Sequence, residues 1–185
     1  SVRSFFGEHT SEEMEDIEDC QDVLDGIPLA FLQQFNLWRR SAAVRALTHS
    51  QRLAAVAASL LGVSAVRLYQ DSVFVKRSGD SSTRWHADLH MAPFDTNEMV
   101  TCWLPLAPVA AQADGGTGLK FVSGSHRDFA LAFWRTDPQA AQVDMATRYG
   151  PDATADHHGA LALGDATWHH GWVVHGAPGS SSGSG

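Results

Sequence analysis

Cysteine is nearly absent. Cys20 and Cys102 are the only two in 185 residues, and Cys102 falls in the apolar run of Met99, Val100, Cys102, Trp103 and Leu104, which argues against a disulfide framework. A reduced, cytoplasmic protein is the expectation. Long apolar runs are also missing: no stretch approaches the roughly 18 apolar residues of a membrane span, and no charged-then-apolar leader opens the sequence, which starts at Ser1. Basic residues are the minority, 13 Lys and Arg against 21 Asp and Glu, and a net charge of -8 argues against nucleic acid or an anionic membrane as partner. Much of this charge is local. Glu8, Glu12, Glu13, Glu15, Asp16, Glu18, Asp19, Asp22 and Asp25 crowd residues 1–25, where a solvated face or loose acidic segment is expected.

What is present suffices for one core. With 44% hydrophobic residues in 185, length and composition favour a single domain over 1–185, a monomer or weak homo-oligomer. Residues 26–62 read as helical support. Ser50 is an N-cap candidate and Gly62 a stop, and between them Leu53, Val56, Ala57, Leu60 and Leu61 form one apolar stripe for packing outside a sheet. An earlier helix is expected around Pro28 to Arg40, with Leu32, Phe35 and Leu37. From Ala65 the period becomes two, and short apolar runs are broken at Ser78 to Ser82, Asp114 to Gly116 and Ser123 to Ser125. A mainly β sandwich or barrel with flanking helices follows, its core over 65–179. Residues 127–158, with Phe129, Phe133, Trp134, Tyr149, His157 and His158, are less regular and read as an insert, either a pocket lid or an ordinary surface excursion. The Gly/Ser-rich tail 180–185 is expected to be flexible. Gly115 to Gly118 lacks the lysine and helix of a phosphate loop and reads as a hairpin turn into Leu119 to Val122.

The chemistry-bearing pattern is His86-Ala87-Asp88, with His175 far along the chain. Side chains two apart on a strand share a face, so His86 and Asp88 can meet a third ligand from a distant strand. Two imidazoles and one carboxylate on one side of a metal form the facial triad of non-haem Fe(II) oxygenases. His-x-Asp alone is a weak signal, also common as a surface feature, and the strand-like surroundings of each candidate strengthen it. Val66 with Leu68, Val73 with Val75, and the Trp172 to Val174 run carry that context.

The sequence resembles the phytanoyl-CoA dioxygenase-like family of Fe(II)/2-oxoglutarate-dependent oxygenases. The resemblance rests on Leu68-Tyr69-Gln70-Asp71 with Lys76, Trp85 to His90 with Pro93, Trp103 to Leu106, Gly115 to Leu119, Ser123 to Arg127, and Gly164-Asp165 through His170 to His175-Gly176. It implies a double-stranded β-helix, a cupin-like jelly roll with N-terminal helices packed outside. It also implies Fe(II) on His86, Asp88 and His175, with 2-oxoglutarate and O2 consumed to hydroxylate a small or medium organic substrate. Asp88 favours hydroxylation over halogenation, because similar halogenases lack this carboxylate. The resemblance further nominates Trp103 as a wall of the 2-oxoglutarate pocket, with Gln70 and Lys76 near it or near the substrate. Each has a plainer reading, as a core Trp, a loop tie and a solvent-facing Lys.

Other positions stay open at this level. His90 would share a strand face with Asp88 if the strand continued, either steadying a ligand or standing as a partly buried histidine. Of His169 and His170 only one can face the pocket, and family position favours His170. No cluster of Lys or Arg stands out as a CoA phosphate site. Family members usually carry an Arg roughly eleven residues past the distal histidine, suited to the far carboxylate of 2-oxoglutarate, and a hydroxylated residue two after it. Here Gly185 lies ten after His175 and position 177 is Ala. Either the native chain continues with a last strand bearing that Arg, or the cosubstrate is anchored differently. The rival readings are a catalytically silent jelly-roll relative that keeps a metal or ligand, and a cupin-like metalloenzyme that does not use 2-oxoglutarate.

Overall fold

A computed structural model of the protein describes residues 32–127 and 156–180, together with the short strands Val23–Leu24 and Ile27–Pro28. The acidic side chains from Glu8 to Asp25, the insert residues Phe129, Phe133, Trp134 and Tyr149, and the tail 181–185 lie outside the described residues. The chain divides into two compact units, Ser1–Ser81 with Ser181–Gly185, and Ser82–Ser180. The division falls inside the stretch 65–179.

In the first unit β1 (Val23–Leu24) pairs antiparallel with β2 (Ile27–Pro28), and β3 (Leu32–Phe35) with β4 (Ser72–Val75). The helix expected around Pro28 to Arg40 is therefore not formed: its centre is strand, followed by a 3-10 turn over Leu37–Arg39. Pairing with β4 supplies the backbone partners that a helix would otherwise provide, so tertiary context overrides local preference. Asn36, in the left-handed region at φ 57°, then turns the chain, and its N–H donates to the Asp71 carbonyl at 2.8 Å. The Asp71 carboxylate accepts from Leu37 N and Trp38 N at 3.0 and 3.1 Å, which satisfies the first donors of the turn. This gives Asp71 a structural role.

Two helices follow. In α1 (Ala42–Thr48) the Ser41 hydroxyl accepts from Val44 N at 3.2 Å, an N-cap of the usual kind. α2 (Gln51–Leu61) begins after Ser50 and stops at Gly62, whose φ of 69° suits glycine. Its limits match the sequence reading, but its stripe is only partly covered: Leu53, Ala57 and Leu61 are half-buried, whereas Leu60 is 58% exposed. Arg39, Arg40 and Arg45, close together in the sequence, line one open pocket of about 470 Å³. Arg39 and Arg45 both lie against the Trp38 ring, at 5.3 and 5.4 Å from its centroid.

The second unit is built of antiparallel strands. One sheet runs in the order β5 (Thr83–His86), β10 (His175–Ala177), β7 (Lys120–Phe121), β8 (Asp156–His157). A second pairs β6 (Val100–Trp103) with β9 (Thr167–His170). Val122 and Val174 pack together with Trp85 against them. Gly115 to Gly118 is not a hairpin turn, because β6 and β7 pair with other strands. Gly115, at φ 82°, instead closes a 3-10 turn over Gln112–Asp114 within a longer connection. The non-local register decides this, and local turn residues cannot report it. Cys102 is a free thiol on β6, and burial pushes its pKa up to about 11. Among the described residues no helix is long and apolar enough to cross a membrane.

Candidate metal centre

Sheet pairing does most of the assembly. His86, the last residue of β5, stands directly opposite His175 on β10, and residues opposite one another carry their side chains on the same face. Their ring centroids are 4.3 Å apart. Ala87 keeps the chain extended for one more residue, at φ -118° and ψ 137°, so Asp88 returns to the His86 face before a 3-10 turn opens over Asp88–His90. The Leu89 N–H donates to the Gly171 carbonyl at 3.0 Å and Gly171 N–H to Met99 O at 2.8 Å, tying this turn to the ends of β9 and β6. A Cβ on Gly171 would lie 2.8 Å from Leu89 Cδ1, so the close approach requires glycine.

The three candidate ligand atoms converge. Asp88 Oδ1 lies 3.6 Å from His86 Nε2 and 3.6 Å from His175 Nε2, and all three are within 4.8 Å of one another. Backbone carbonyls fix the tautomers. His86 Nδ1 is 2.7 Å from Arg84 O and His175 Nδ1 is 2.9 Å from Val173 O, and a carbonyl can only accept. Each Nδ1 therefore carries the proton, and each Nε2 presents its lone pair to the centre. Two neutral imidazole nitrogens and one carboxylate oxygen suit divalent iron.

The charge states of Asp88 and His175 agree with this donor set. Burial disfavours the Asp88 carboxylate, but the hydrogen bond from His169, the neighbouring His86 and His175 rings and the Thr101 hydroxyl outweigh it and hold Asp88 far below the usual carboxylate range. Burial, helped by His169 and His86, brings His175 down to about 4, so its imidazole is neutral at physiological pH. For His86 burial also lowers the pKa, yet the neighbouring Asp88 carboxylate and the Arg84 carbonyl leave it above the ordinary value.

The other oxygen of Asp88 is fully engaged. Thr101 Oγ1 donates to Oδ2 at 2.6 Å and His169 Nε2 donates to it at 3.1 Å. Thr101 and His169 are themselves directly opposite on β6 and β9, so one cross-strand pair holds the non-converging oxygen while the His86–His175 pair frames the converging one. Here the structure corrects the sequence reading. His169, buried and 4.2 Å from the His175 ring, faces the centre. His170 faces away, 5.8 Å from His126 and accepting from Trp172 N at 3.1 Å. Alternation along β9 made the two mutually exclusive, and the register with β6 chose between them. Thr101 was missed because a lone hydroxyl in an apolar run carries no spacing signal.

The remaining candidates are placed as follows. His90 does not continue a strand; it ends the 3-10 turn and packs edge-on to Trp172 at 5.1 Å, with burial lowering its pKa. Trp103, two residues beyond Thr101, shares the inner face of β6 and is stacked on His158 at 6.0 Å. Gln70, exposed ahead of β4, and Lys76, half-buried just after it, belong to the first unit. Burial lowers the Lys76 pKa, and Asp80 opposes it. The Ser123 to Arg127 block has a mechanical role: buried Ser125 accepts from Val174 N at 2.8 Å, which fixes the residue before His175.

One prediction follows from the grip on Oδ2. Thr101→Val and His169→Phe each keep volume and remove a donor. Each is expected to lower divalent-metal affinity about 10- to 100-fold, the usual range for groups that orient a ligand. Calorimetric titration with Mn(II) checks this, and wild-type affinity in both variants would show that Oδ2 does not need the grip.

Two imidazoles and one carboxylate drawn together by antiparallel strands define the class, a candidate non-haem metal centre in a mainly β protein. Residues 11–185 match the family described as Phytanoyl-CoA dioxygenase (PhyH), and the chain belongs to that family. Among solved structures it is similar to SnoK, a non-heme alpha ketoglutarate dependent carbocyclase from nogalamycin biosynthesis. Identity is 19%, covering 100% of this chain and 70% of that one, with TM-score 0.72. It is also similar to the epimerase SnoN in complex with Fe3+, alpha ketoglutarate and nogalamycin RO, at 24% identity, 96% and 69% coverage, and TM-score 0.67. AviO1 from Streptomyces viridochromogenes Tue57 aligns at 19% identity, 99% and 79% coverage, and TM-score 0.62. No curated protein matches the sequence.

Proposed function

We propose that the protein is an Fe(II)/2-oxoglutarate-dependent oxygenase that hydroxylates a small or medium organic molecule, with His86, Asp88 and His175 as the iron ligands. The observation that carries this reading is the convergence of two carbonyl-oriented imidazole Nε2 atoms on Asp88 Oδ1, 3.6 Å from each. The strand orders β5-β10-β7-β8 and β6-β9 support a jelly-roll arrangement with the ligands on its inner face. Trp103, on the same face as Thr101, supports a wall for the cosubstrate. Iron with 2-oxoglutarate and O2 supplies the oxidising power. The chain's own residues set ligand geometry, and the Phe121 ring, 5.4 Å from His169 and 6.2 Å from His175, covers the site against water.

Anaerobic addition of Fe(II) and then 2-oxoglutarate is expected to give a weak visible charge-transfer band. A silent relative, or a metalloenzyme that excludes 2-oxoglutarate, stays colourless. SnoK and SnoN, described as a carbocyclase and an epimerase, favour a second reading in which the same hydrogen removal ends differently. Product mass separates the outcomes. Hydroxylation adds one oxygen derived from O2, epimerisation leaves the composition unchanged, and ring closure removes two hydrogens. A chlorinated product in the presence of chloride would overturn the role given to Asp88.

A further inference from the structure

The first unit carries a charged site of its own. Arg39 ends the 3-10 turn over Leu37–Arg39, Arg40 follows it, and Arg45 lies within α1. All three are exposed and line the open pocket of about 470 Å³, together with His49 and the small Ala42 and Ala46. Residues four apart on a helix share a face, so Ala42 with Ala46 and Arg45 with His49 form adjacent rows. The alanines leave the floor between the arginines free. A volume of this size falls within the roughly 300–1,000 Å³ of small-molecule sites.

The guanidinium groups are held in place without being neutralised. Arg39 and Arg45 sit 5.3 and 5.4 Å from the Trp38 ring centroid, within cation–π range, and the His49 ring is 5.2 Å from the same ring. Trp38 is itself fixed, because its Nε1 donates to Asn36 Oδ1 at 3.3 Å. Arg45 Nε donates to Trp38 O at 3.2 Å, and Arg40 donates to Gln34 Oε1 at 3.3 Å. A guanidinium has five N–H donors, so most of those on this pocket are uncommitted. Among the described residues no ion pair joins any of the three to a carboxylate. Asp71, the acid that organises the same turn, already gives both carboxylate oxygens to Leu37 N and Trp38 N. The chain has 21 acidic residues against 13 basic ones, so three unopposed cations in one pocket do not follow from a surplus of positive charge.

Like charges gathered in one pocket repel, and an anion relieves this. A carboxylate offers one charge and two oxygens, enough for a single guanidinium fork. A phosphate group carries about -1.5 to -2 at pH 7 and three acceptor oxygens, which several forks can share. We infer that Arg39, Arg40 and Arg45 form a binding site for the phosphate of a small molecule, a phosphate monoester or a diphosphate, whose remainder lies over Ala42 and Ala46. This goes beyond the proposed function and does not depend on it.

The test titrates inorganic phosphate, pyrophosphate and succinate into the metal-free protein by calorimetry. Wild type should bind pyrophosphate most tightly, and phosphate more tightly than succinate, with both affinities falling as salt is added. Arg39→Lys, Arg40→Lys and Arg45→Lys keep the charge and lose the fork. Each should lower pyrophosphate affinity about tenfold, the low end for one hydrogen bond to a charged group, while melting as wild type does. Arg52→Gln and Arg67→Gln remove exposed arginines of the same unit that do not line the pocket, and should change affinity less than about threefold. Pyrophosphate binding that survives all three lysine substitutions, or that falls equally in the Arg52 and Arg67 variants, would mean a diffuse positive surface and overturn the inference. Wild type that binds neither phosphate nor pyrophosphate, or that binds succinate as well as phosphate, would overturn it too.

Discussion

Asp88→Ala is expected to abolish measurable Fe(II) binding and all coupled turnover. The substitution removes the one charged ligand and strands two donors at once, the half-buried Thr101 Oγ1 and the buried His169 Nε2, which both give their hydrogen bonds to Asp88 Oδ2. Loss of a group that merely orients a ligand lowers affinity about 10- to 100-fold, so loss of the ligand itself should exceed that range. The unpaired donors should lower apo stability as well, by about 1–3 kcal/mol each where water cannot reach them. His175→Ala should match the effect on metal, because His175 Nε2 is 3.6 Å from Asp88 Oδ1. Its apo stability should fall less, because no buried donor is stranded. Anaerobic calorimetry with Fe(II) and thermal melts of apo protein separate the two effects. An Asp88→Ala or His175→Ala variant that binds iron as wild type does would remove that residue from the centre.

The second large effect is purely structural. Gly116→Ala places a Cβ 1.9 Å from the Ala110 carbonyl oxygen and 2.9 Å from the Ala111 oxygen. Neither is a side chain that can swing aside, so the backbone of the connection must move. Gly116 N donates to Ala111 O at 3.0 Å, and that bond is lost in the movement. Overpacking of this kind costs about 1–3 kcal/mol and occasionally more, or about 3–10 °C in Tm for a chain of this size. Gly159→Ala is the control: nothing described lies within 4 Å of its added Cβ, and its melt should stay within about 0.5 kcal/mol of wild type. Equal melts for the two variants would show that the 110–116 connection is not held as described.

How much of this was legible beforehand differs by element. α2 was readable to its ends, because a 3.6-residue stripe, a preceding Ser and a following Gly are local signals. His86, Asp88 and His175 were readable because a two-residue spacing on an extended segment is local, and the block around His175 matched a family pattern. The helix expected over 28–40 failed because β3 is made by β4, nearly forty residues away in the chain, and nothing within 32–35 reports that partner. His170 was preferred to His169 for the same reason: alternation shows that one faces inward, and only the pairing of His169 with Thr101 shows which.

The sequence alone therefore determined the donor types, their order and the family, since these follow from residue chemistry and local periodicity. Tertiary structure decided which oxygen of Asp88 converges with the imidazoles, which carbonyls set the two tautomers, and which of the paired histidines supports the carboxylate. All three depend on cross-strand register, where a shift of one residue reverses the face of every side chain. Register is fixed by contacts between segments far apart in the chain, so no local window of sequence contains it.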